Sequence, residues 1–306
     1  MKVSDALREA AGRLAATSDT ARLDAELLMA EVLGVTRSDM LLRRMDDEAP
    51  QSYAALVERR AAHEPVAYIV GRKEFYGLEL EVTHAVLIPR ADSESLIEVA
   101  REAFVGRTPE RILDLGTGSG ALLLAALTVW PRAEGWGLDR SAEALFVAIR
   151  NAQRHANTPI AFVGGSPAEL PPPRADRGFA RFIQRDWRKR RWHEDLGRFD
   201  LVLCNPPYIE DTAELGRDVR EWEPEGALFA GPDGLDDYRI LIPQVPKLLA
   251  DGGVAIFEIG ATQAESVSAI AAAAGFASEL RRDLAGRPRA LVLRLGLGNS
   301  PLSDYL

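Results

Sequence analysis

From about residue 93 onward, the sequence alternates between helical and extended apolar patterns, and this alternation constrains the fold more than any other feature. Helical spacing recurs at residues 94–106, 121–130, 141–155, 242–251 and 262–275. Strand patterns lie between and after them, at residues 111–120, 133–140, 199–208, 252–260, 278–284 and 289–296. Such alternation favours an α/β fold with a doubly wound, mostly parallel sheet and helices on both faces. Ligands of such sheets bind beyond the carboxyl ends of strands, where the strand order reverses.

The residues before this sheet predict a separate helical domain. Residues 1–66 show apolar side chains at helical spacing and contain few strand formers. Residues 67–89 then alternate apolar and polar side chains around Gly71 and Gly77, which predicts a β-hairpin. We therefore expect a small helical domain at residues 1–66, a hairpin connector at 67–89 and the α/β domain at 90–306.

The composition weighs against a nucleic-acid partner and limits the role of cysteine and histidine. The 306 residues carry a formal net charge of −9, whereas proteins that live on duplex nucleic acid usually have a basic footprint. The single cysteine, Cys204, excludes an internal disulfide and is expected to be a buried strand residue. We expect no metal site, because the histidines lack ligand spacing; they are His63, His84, His155 and His193.

The chain shows neither a signal-peptide pattern nor a run that approaches the ~18 apolar residues of a membrane span. We therefore expect a cytoplasmic protein with no membrane partner. We also expect a monomer with no stable nucleic-acid partner.

A glycine-rich loop, Asp114-Leu-Gly-Thr-Gly-Ser-Gly120, connects a predicted strand to a predicted helix. Glycines there let the backbone pass close to a ligand at the free N–H groups of a helix N-terminus. Asp139 ends the next predicted strand, where an acidic side chain accepts hydrogen bonds from ribose hydroxyls. This arrangement serves either NAD or S-adenosylmethionine. Asp114 favours S-adenosylmethionine, because an anion suits its ammonium and sulfonium groups and suits a pyrophosphate badly.

The run Asn205-Pro206-Pro207-Tyr208 directly follows another predicted strand. The prolines cannot continue a strand ladder, so they stiffen the loop and leave its carbonyls free as acceptors. The Asn205 side chain adds one acceptor and two donors, and Tyr208 offers a flat face for stacking. We interpret the loop as a clamp for a planar –NH2 group, which would donate to the Asn205 side chain and the Pro206 carbonyl. That clamp would aim the nitrogen lone pair at a methyl donor.

With these two loops in place, the chain resembles the release-factor glutamine N5-methyltransferases of the PrmC/HemK type over nearly its whole length. Three further segments carry the resemblance: RKEFYGLELEVTHAVLIPRADSE at 72–94, VREWEPEGALFAGPDGLDDYR at 219–239, and GGVAIFEIG to RDLAGRPRALVLR at 252–294. The resemblance implies a class I (Rossmann-like) methyltransferase fold. It also implies that the helical N-terminal domain holds a protein substrate, namely a peptide chain release factor.

The resemblance further implies methyl transfer from S-adenosylmethionine to the glutamine of the Gly-Gly-Gln motif in release factors. The implied cofactor residues are Gly116, Thr117, Gly118, Ser119, Gly120, Asp139, Asp186, Trp187 and Asn205, with the Asp186–Trp187 pair beside the adenine. The implied substrate-binding residues are Asn205, Pro206, Pro207, Tyr208 and Arg90. The catalytic residues among them are Asn205, Pro206 and Tyr208.

One segment departs from the family pattern. Residues 164–185 are rich in proline, glycine and arginine, and a basic run at 187–192 follows. We expect a partly mobile surface insertion whose basic run is a solvated face, with contact to an acidic or RNA partner as the alternative. The insertion leaves Asp176 as a weaker alternative to Asp186.

The segment Ile88-Pro-Arg-Ala-Asp-Ser-Glu94 has Ala91 where the family has proline. Arg90 in this segment either contacts the substrate or pairs with a carboxylate, Asp92 or Glu94. Asp92 or Ser93 is expected to cap the helix that follows.

Three alternatives compete with glutamine methylation. An adenine-N6 methyltransferase of DNA or RNA could use the same clamp after base flipping. The acidic composition and the lack of a large recognition domain weigh against it. A nicotinamide-dependent oxidoreductase is allowed by the glycine pattern alone, and a binding module without enzymatic activity would leave the coincidence of the two loops unexplained.

Overall fold

The computed structural model describes residues 1–155, 160–163, 179–283 and 285–296. These residues divide into two compact units. The first consists of Met1–Lys73, Val82–His84 and Glu214–Glu223, and the second of the described residues within Glu74–Glu81, Ala85–Ala213 and Pro224–Leu306. Among the described residues, no helix combines the length and the apolar character that crossing a membrane requires.

The helices are α1 (Val3–Leu14), α2 (Ala21–Leu33), α3 (Arg37–Arg43), α4 (Tyr53–Ala61), α5 (Val66–Val70), α6 (Glu94–Ala103), α7 (Ala121–Val129), α8 (Ala142–Arg154), α9 (Arg217–Arg220), α10 (Asp236–Leu241) and α11 (Ala264–Ala273). The strands are β1 (Arg72–Phe75), β2 (Leu78–Glu81), β3 (Arg111–Leu115), β4 (Glu134–Asp139), β5 (Ile160–Val163), β6 (Phe179–Gln184), β7 (Phe199–Cys204), β8 (Leu249–Glu258), β9 (Phe276–Arg282) and β10 (Pro288–Leu295).

The first unit is helical, with α1 to α5 around one apolar core that includes the fully buried Leu7, Leu28 and Met29. An ion pair between Asp24 and Arg60, at 2.7 Å, is also buried there. Two hydroxyl groups donate to the same carboxylate. These partners are needed because burial strips a charge of its hydration.

The hairpin is shorter than the alternating sequence pattern predicts. β1 and β2 form a two-stranded sheet, but the residues before them form the short helix α5. Tyr68 and Ile69 are neighbours in α5 and both are buried, which a strand with a single buried face would not allow. Gly71 then ends the helix with a φ of +74°.

The second unit contains a mixed sheet whose strands lie in the order β5-β6-β4-β3-β7-β8-β10-β9. The strands from β5 to β8 in this order pair in parallel, and β10 pairs antiparallel with β8 and β9. Alternate residues of the central strands face two different cores. In β3, for example, Ile112 packs in the core with α6 and α7, whereas Leu113 packs in the core with α10 and α11. The predicted doubly wound α/β fold is therefore confirmed.

Residues 179–184 show that part of the predicted surface insertion was wrong. They form β6, an interior strand between β5 and β4, and five of its six residues are buried. The apolar pattern is interrupted by Arg181, which is nevertheless 6% exposed, stacks over the ring of Trp136 and pairs with Glu134 at 3.2 Å. Residues 164–178, with Asp176, lie outside the described residues.

A second correction concerns residues 242–251, which were predicted to be a helix. They form a short 3₁₀ helix, Ile242–Lys247, and β8 begins at Leu249. Pro243 and Pro246 lack the N–H groups that an α-helical ladder would need there.

Candidate active site

The candidate site lies at the carboxyl edge of the central strands. β3 ends at Leu115, which pairs with Leu138 of β4 on one side and Cys204 of β7 on the other. The glycine loop, Asp139 and Asn205 therefore begin side by side at this edge. β3 is also where the strand order reverses, which is the ligand-binding position of α/β sheets.

The glycine loop needs its glycines for conformation. Gly116, Gly118 and Gly120 have φ values of +74°, +54° and +83°, a region that favours glycine because it lacks a Cβ. The N–H groups of Gly116 and Thr117 both donate to the Leu138 carbonyl, at 2.8 and 2.9 Å. These bonds fix the loop to the end of β4.

Gly116 also separates two groups that approach the loop closely. A Cβ at this position would lie 3.2 Å from the indole of Trp187 and 3.9 Å from the backbone carbonyl oxygen of Asn205. The predicted cofactor loop and the predicted acceptor loop are therefore neighbours in space.

Asp114 is an acid buried beneath the glycine loop, with 1% of its surface exposed. One oxygen, Oδ2, accepts a hydrogen bond of 2.6 Å from the Thr117 hydroxyl, and the other is buried without a hydrogen-bond partner among the described residues. Burial raises the pKa of Asp114 to about 7, although the Thr117 hydroxyl and the Leu123 amide oppose this. The side chain is poised to lose its proton when a cation lies nearby.

Asp139, at the end of β4, holds two backbone amides. Its Oδ2 accepts from the N–H of Gly118 and its Oδ1 from the N–H of Ser141, each at 2.9 Å. Burial raises the pKa of Asp139, and these two amides partly offset the shift. Each carboxylate oxygen has further acceptor capacity, so ribose hydroxyls could bind there as well.

Trp187 lies against the glycine loop, where it is held by Asp237, a residue that the sequence analysis did not identify. The Trp187 indole N–H donates to Asp237 at 2.7 Å, and the Arg188 guanidinium pairs with the same fully buried carboxylate at 3.0 Å. The basic residues 188–191 are exposed as predicted, although Arg188 makes this ion pair, and Trp192 at the end of the run is buried. Asp186 accepts from the Arg188 N–H at 3.0 Å, and its place beside the adenine stays a prediction.

The loop that follows β7 has the features that the clamp requires. Pro206 and Pro207 are buried, Asn205 and Tyr208 are half-buried, and Cys204 before them is fully buried as predicted. Neither the side-chain oxygen of Asn205 nor the Pro206 carbonyl accepts a hydrogen bond from the described residues.

Tyr208 is held at both ends. Its backbone carbonyl accepts from the Gln263 side chain at 2.9 Å, and its hydroxyl donates to Glu258 at 3.3 Å. Burial and the Glu258 carboxylate raise the pKa of Tyr208 to about 12, so the hydroxyl is protonated at neutral pH. A Cβ at Gly234 would lie 2.3 Å from the same Tyr208 carbonyl, so this close approach requires glycine.

The segment before α6 differs from its prediction. Ser93 precedes α6 but makes no capping hydrogen bond; its hydroxyl donates instead to Glu258. The Asp92 carboxylate pairs with Arg289 at 2.7 Å, and Glu94 accepts from the Tyr76 N–H at 3.1 Å. The predicted cap at Asp92 or Ser93 was therefore wrong, because both side chains have partners elsewhere in the fold.

Arg90 lies close enough to Tyr208 for its guanidinium to lower the pKa of that hydroxyl, against the larger effect of burial. The role of Arg90 in substrate binding stays a prediction.

The residues present fit S-adenosylmethionine. The buried oxygen of Asp114 that lacks a partner offers a negative charge to a cationic ligand, and the three glycines leave the loop without side chains to obstruct it. The Asp139 carboxylate stands where a ribose would need acceptors. Among the described residues, no group of three or more His, Cys, Asp and Glu side chains could hold a metal ion.

Comparison with protein families supports the same reading of the two units. Residues 5–71 match the family model described as the PrmC N-terminal domain, and residues 108–274 match a methyltransferase domain. Among solved structures, the hMettl16 catalytic domain in complex with MAT2A 3'UTR hairpin 6 is similar in fold, with a TM-score of 0.52 and 13% identity. The match covers 79% of this chain and 82% of that one. The fold and the site define a class I methyltransferase.

Curated relatives identify the family. A release factor glutamine methyltransferase of Burkholderia pseudomallei is 40% identical over 286 residues, covering 92% of this chain and 94% of the relative. Proteins of the same name from Caulobacter vibrioides and Cereibacter sphaeroides are 37% and 38% identical and cover 90% and 96% of this chain. They are themselves covered over 89% and 99% of their lengths. The chain belongs to the release factor glutamine methyltransferase family.

Some residues of the site carry no local motif. Asn151 on α8 is fully buried and donates to the backbone carbonyls of Ser119 and Glu81, both at 2.9 Å, which supports the glycine loop from behind. Glu258 could have been found, because it is an acid at the end of the apolar run AIFEIG and at the same sheet edge as Asn205. Nothing in the sequence near Asn151 or Asp237 indicates their partners.

Proposed function

We propose that this protein transfers a methyl group from S-adenosylmethionine to the side-chain amide nitrogen of the glutamine in the Gly-Gly-Gln motif of peptide chain release factors. The observation that supports this most is the loop Asn205-Pro206-Pro207-Tyr208, whose two acceptors are available beside the glycine loop. The family to which the chain belongs supports the same substrate class.

The chemistry follows from the properties of an amide. Its nitrogen is a poor nucleophile because the lone pair is conjugated with the carbonyl group. We expect one N–H of the substrate amide to donate to Asn205 Oδ1 and the other to the Pro206 carbonyl. Both bonds strengthen as positive charge develops on the nitrogen, and together they align its lone pair for in-line attack. No strong base is needed before transfer, because the nitrogen becomes acidic as the N–C bond forms and the S–C bond breaks. The sulfur would leave as a neutral thioether, and the nitrogen would lose one proton to water.

The cofactor, when bound, supplies an electrophilic methyl group on a sulfonium. The glycine loop, Gly116 to Gly120, is the proposed site for its methionine part, with Asp139 for the ribose and the pair Asp186 and Trp187 for the adenine. Asp114 gives this site the negative charge that a cationic ligand requires.

We also propose a division of labour along the chain. The helical domain, residues 1–66, would hold the release factor, with residues 67–89 as its connector to the methyltransferase domain at 90–306. Arg90 and Tyr208 would then contact the glutamine-bearing loop. The protein would act as a cytoplasmic monomer.

The test uses the methyl group itself. The full-length protein is incubated with labelled S-adenosylmethionine and, separately, a release factor, its Gln→Ala variant in the Gly-Gly-Gln motif, and DNA. We expect label on the release factor only. Label on DNA with none on the release factor would overturn the proposal and favour adenine-N6 methylation, since the same loop can hold an adenine amino group.

A further inference from the structure

A buried carboxyl group lies directly behind the acceptor loop. Glu258 ends β8 with 1% of its surface exposed, although a charged side chain is costly to bury without partners. Its Oε1 faces the Tyr208 hydroxyl at 3.3 Å and the Arg289 guanidinium at 3.9 Å. Its Oε2 accepts a hydrogen bond from the Ser93 hydroxyl. Burial raises the pKa of Glu258, and the donors that face both of its oxygens oppose that shift.

Ser93 connects this carboxylate to Asn205. A serine hydroxyl has a single hydrogen, and in Ser93 that hydrogen is used by Glu258. The Ser93 oxygen can therefore only accept from any other neighbour. The neighbour is the Asn205 side-chain nitrogen, Nδ2, at 3.4 Å.

We propose that Glu258 and Ser93 are positioning residues that fix which way the Asn205 side-chain amide points, so that its oxygen faces the substrate –NH2 group. The inference rests on the proposed function, because it assigns the Asn205 oxygen the task of binding that group. Ser93 and Glu258 touch neither substrate nor cofactor in this account, and act through Asn205 alone.

The orientation matters because the oxygen and the nitrogen of an asparagine amide have nearly the same shape, but the oxygen accepts hydrogen bonds and the nitrogen donates them. In the correct orientation Asn205 presents an acceptor to the two donors of the substrate –NH2. In the flipped orientation it would present a second –NH2 group, and the stabilising bond would be lost. Loss of one such preorganised bond typically slows catalysis by about 10²-fold to 10³-fold.

The two hydrogen bonds run in one direction: Asn205 donates to Ser93, and Ser93 donates to Glu258. The substitution Glu258→Gln would allow this direction to reverse. The E258Q side chain can donate to the Ser93 oxygen, which would free the Ser93 hydrogen to point at Asn205. Asn205 would then gain by turning its oxygen towards Ser93 and away from the substrate. E258Q should therefore favour the wrong orientation, whereas Ser93→Ala only removes the preference.

The experiment measures single-turnover methyl transfer to a release factor at saturating S-adenosylmethionine, together with the Kd of the cofactor. We expect S93A to slow transfer by about 10-fold and E258Q by about 10-fold to 100-fold, with the Kd within about 3-fold of the wild type. Ser93→Thr keeps the hydroxyl and should stay within about 3-fold of the wild-type rate. In the double variant S93A/E258Q, the loss should not exceed that of E258Q alone, because the two residues act in one chain.

The matched control is Tyr238→Phe. The Tyr238 hydroxyl donates to the backbone carbonyl of Glu258 at 2.7 Å, so this variant loses a buried bond to the same residue without touching its carboxylate. We expect its transfer rate to match that of the wild type. If Y238F slows transfer as much as E258Q does, general loosening explains the effect and the proposal is overturned.

Other results would also overturn it. These are rates within about 3-fold of the wild type for both S93A and E258Q, a rate for S93T as low as that of S93A, or losses that appear in the cofactor Kd instead of the rate. If E258Q does not fold, the comparison of S93A with S93T still decides. If wild-type protein labels DNA and not the release factor, the proposed function has failed, and the same variants are compared on adenine, whose –NH2 group needs the same acceptor.

Discussion

The loops that follow β3 and β7 meet at one sheet edge, yet they are held in different ways. The glycine loop is held from nearer parts of the chain: its Thr117 hydroxyl binds Asp114, its N–H groups bind the end of β4, and its Ser119 carbonyl accepts from Asn151, 32 residues away. The Asn205–Tyr208 loop is held by side chains from distant parts of the chain. Asn205 meets Ser93 across 112 residues, and Tyr208 meets Glu258 and Gln263 across 50 and 55 residues.

The difference separates two tasks. We expect the glycine loop to admit the cofactor, and glycines, backbone bonds and the side chains of Asp139 and Asn151 shape it. In the proposed mechanism the Asn205–Tyr208 loop presents two oxygens in fixed directions, and a side-chain amide takes its direction only from neighbours that supply the matching donor or acceptor. Damage to the first loop should therefore appear in cofactor affinity, and damage to the second in the rate of transfer.

Substitution of the acceptor itself should have the largest effect. Asn205→Ala removes the side-chain oxygen that we propose binds the substrate –NH2, and we expect the rate of transfer to fall by about 10³-fold or more. Calorimetry should show S-adenosylmethionine binding that is largely retained, because Asn205 approaches Gly116 with its backbone carbonyl, which the variant keeps. Near-normal turnover by N205A would refute the amide clamp.

Gly116→Ala should have the next largest effect. It should change the Kd of the cofactor, whereas Asn205→Ala changes the rate of transfer. The new Cβ would lie 3.2 Å from the Trp187 ring in a backbone with φ of +74°. We expect the Kd of S-adenosylmethionine to rise by about 10-fold to 100-fold, and the rate at saturation to change much less.

The matched control for G116A is Gly106→Ala. Gly106 has a similar φ of +79°, but a Cβ there would meet nothing within 4 Å. It should share the backbone strain and leave the cofactor Kd unchanged. Equal effects of the two variants on the Kd would show that contact with Trp187 is irrelevant.

The pKa of Asp114 predicts that cofactor affinity depends on pH. Because burial raises this pKa to about 7, the ionised fraction grows from about one tenth at pH 6 to about nine tenths at pH 8. A cationic ligand favours the ionised form, so affinity should rise by up to about 10-fold over this range. Asp114→Asn should remove that rise, as measured by calorimetry at both pH values. A wild-type profile that coincides with that of D114N would contradict the role of this charge.

The same group has a consequence for stability. In the unfolded chain Asp114 should titrate near its ordinary value of 3.8, and in the folded protein near 7, so the folded state holds the extra proton between these values. The favourable contribution of Asp114 to the free energy of unfolding is therefore fully present below about pH 4 and lost as the pH rises through 7. As the pH rises through 7, the free energy of unfolding of the wild type should therefore fall relative to that of D114N.

Asp237→Asn should have the smallest effect. Asp237 holds the Trp187 indole against the glycine loop and pairs with Arg188. The variant keeps an acceptor for the indole but loses the charge, and we expect the cofactor Kd to rise by about 3-fold. Asp236→Asn is the control, because its ion pair with Arg239 is exposed. An unchanged Kd in D237N would show that Trp187 needs no such support.

Much of this architecture could be predicted from the sequence, and the failures have physical causes. The strands β3, β7 and β8 carry buried apolar side chains on both faces of the sheet, and β4 carries them on one face with glycines on the other. β6 was missed because Arg181 interrupts its run, and its charge is balanced by Glu134, 47 residues away (181 − 134). The glycine and NPPY loops are local motifs, so the sequence alone placed them.

The supports of the acceptor loop could not be predicted in the same way. Serine is a common helix-capping residue and Ser93 precedes a helix, yet its hydroxyl donates a hydrogen bond to Glu258. Only the packing of α6 against the sheet decides between a local backbone donor and a distant carboxylate. The same holds for Asp237, whose partners Trp187 and Arg188 lie on a different segment.

The central claim is that the two oxygens at Asn205 and Pro206 receive a glutamine amide. It is tested most directly by tandem mass spectrometry of a release factor after incubation with the protein and S-adenosylmethionine. We predict one added methyl group, located on the side-chain nitrogen of the glutamine in the Gly-Gly-Gln motif and absent when N205A replaces the wild type. A methyl group on another residue or on a backbone nitrogen, or an unmodified release factor, would contradict the account.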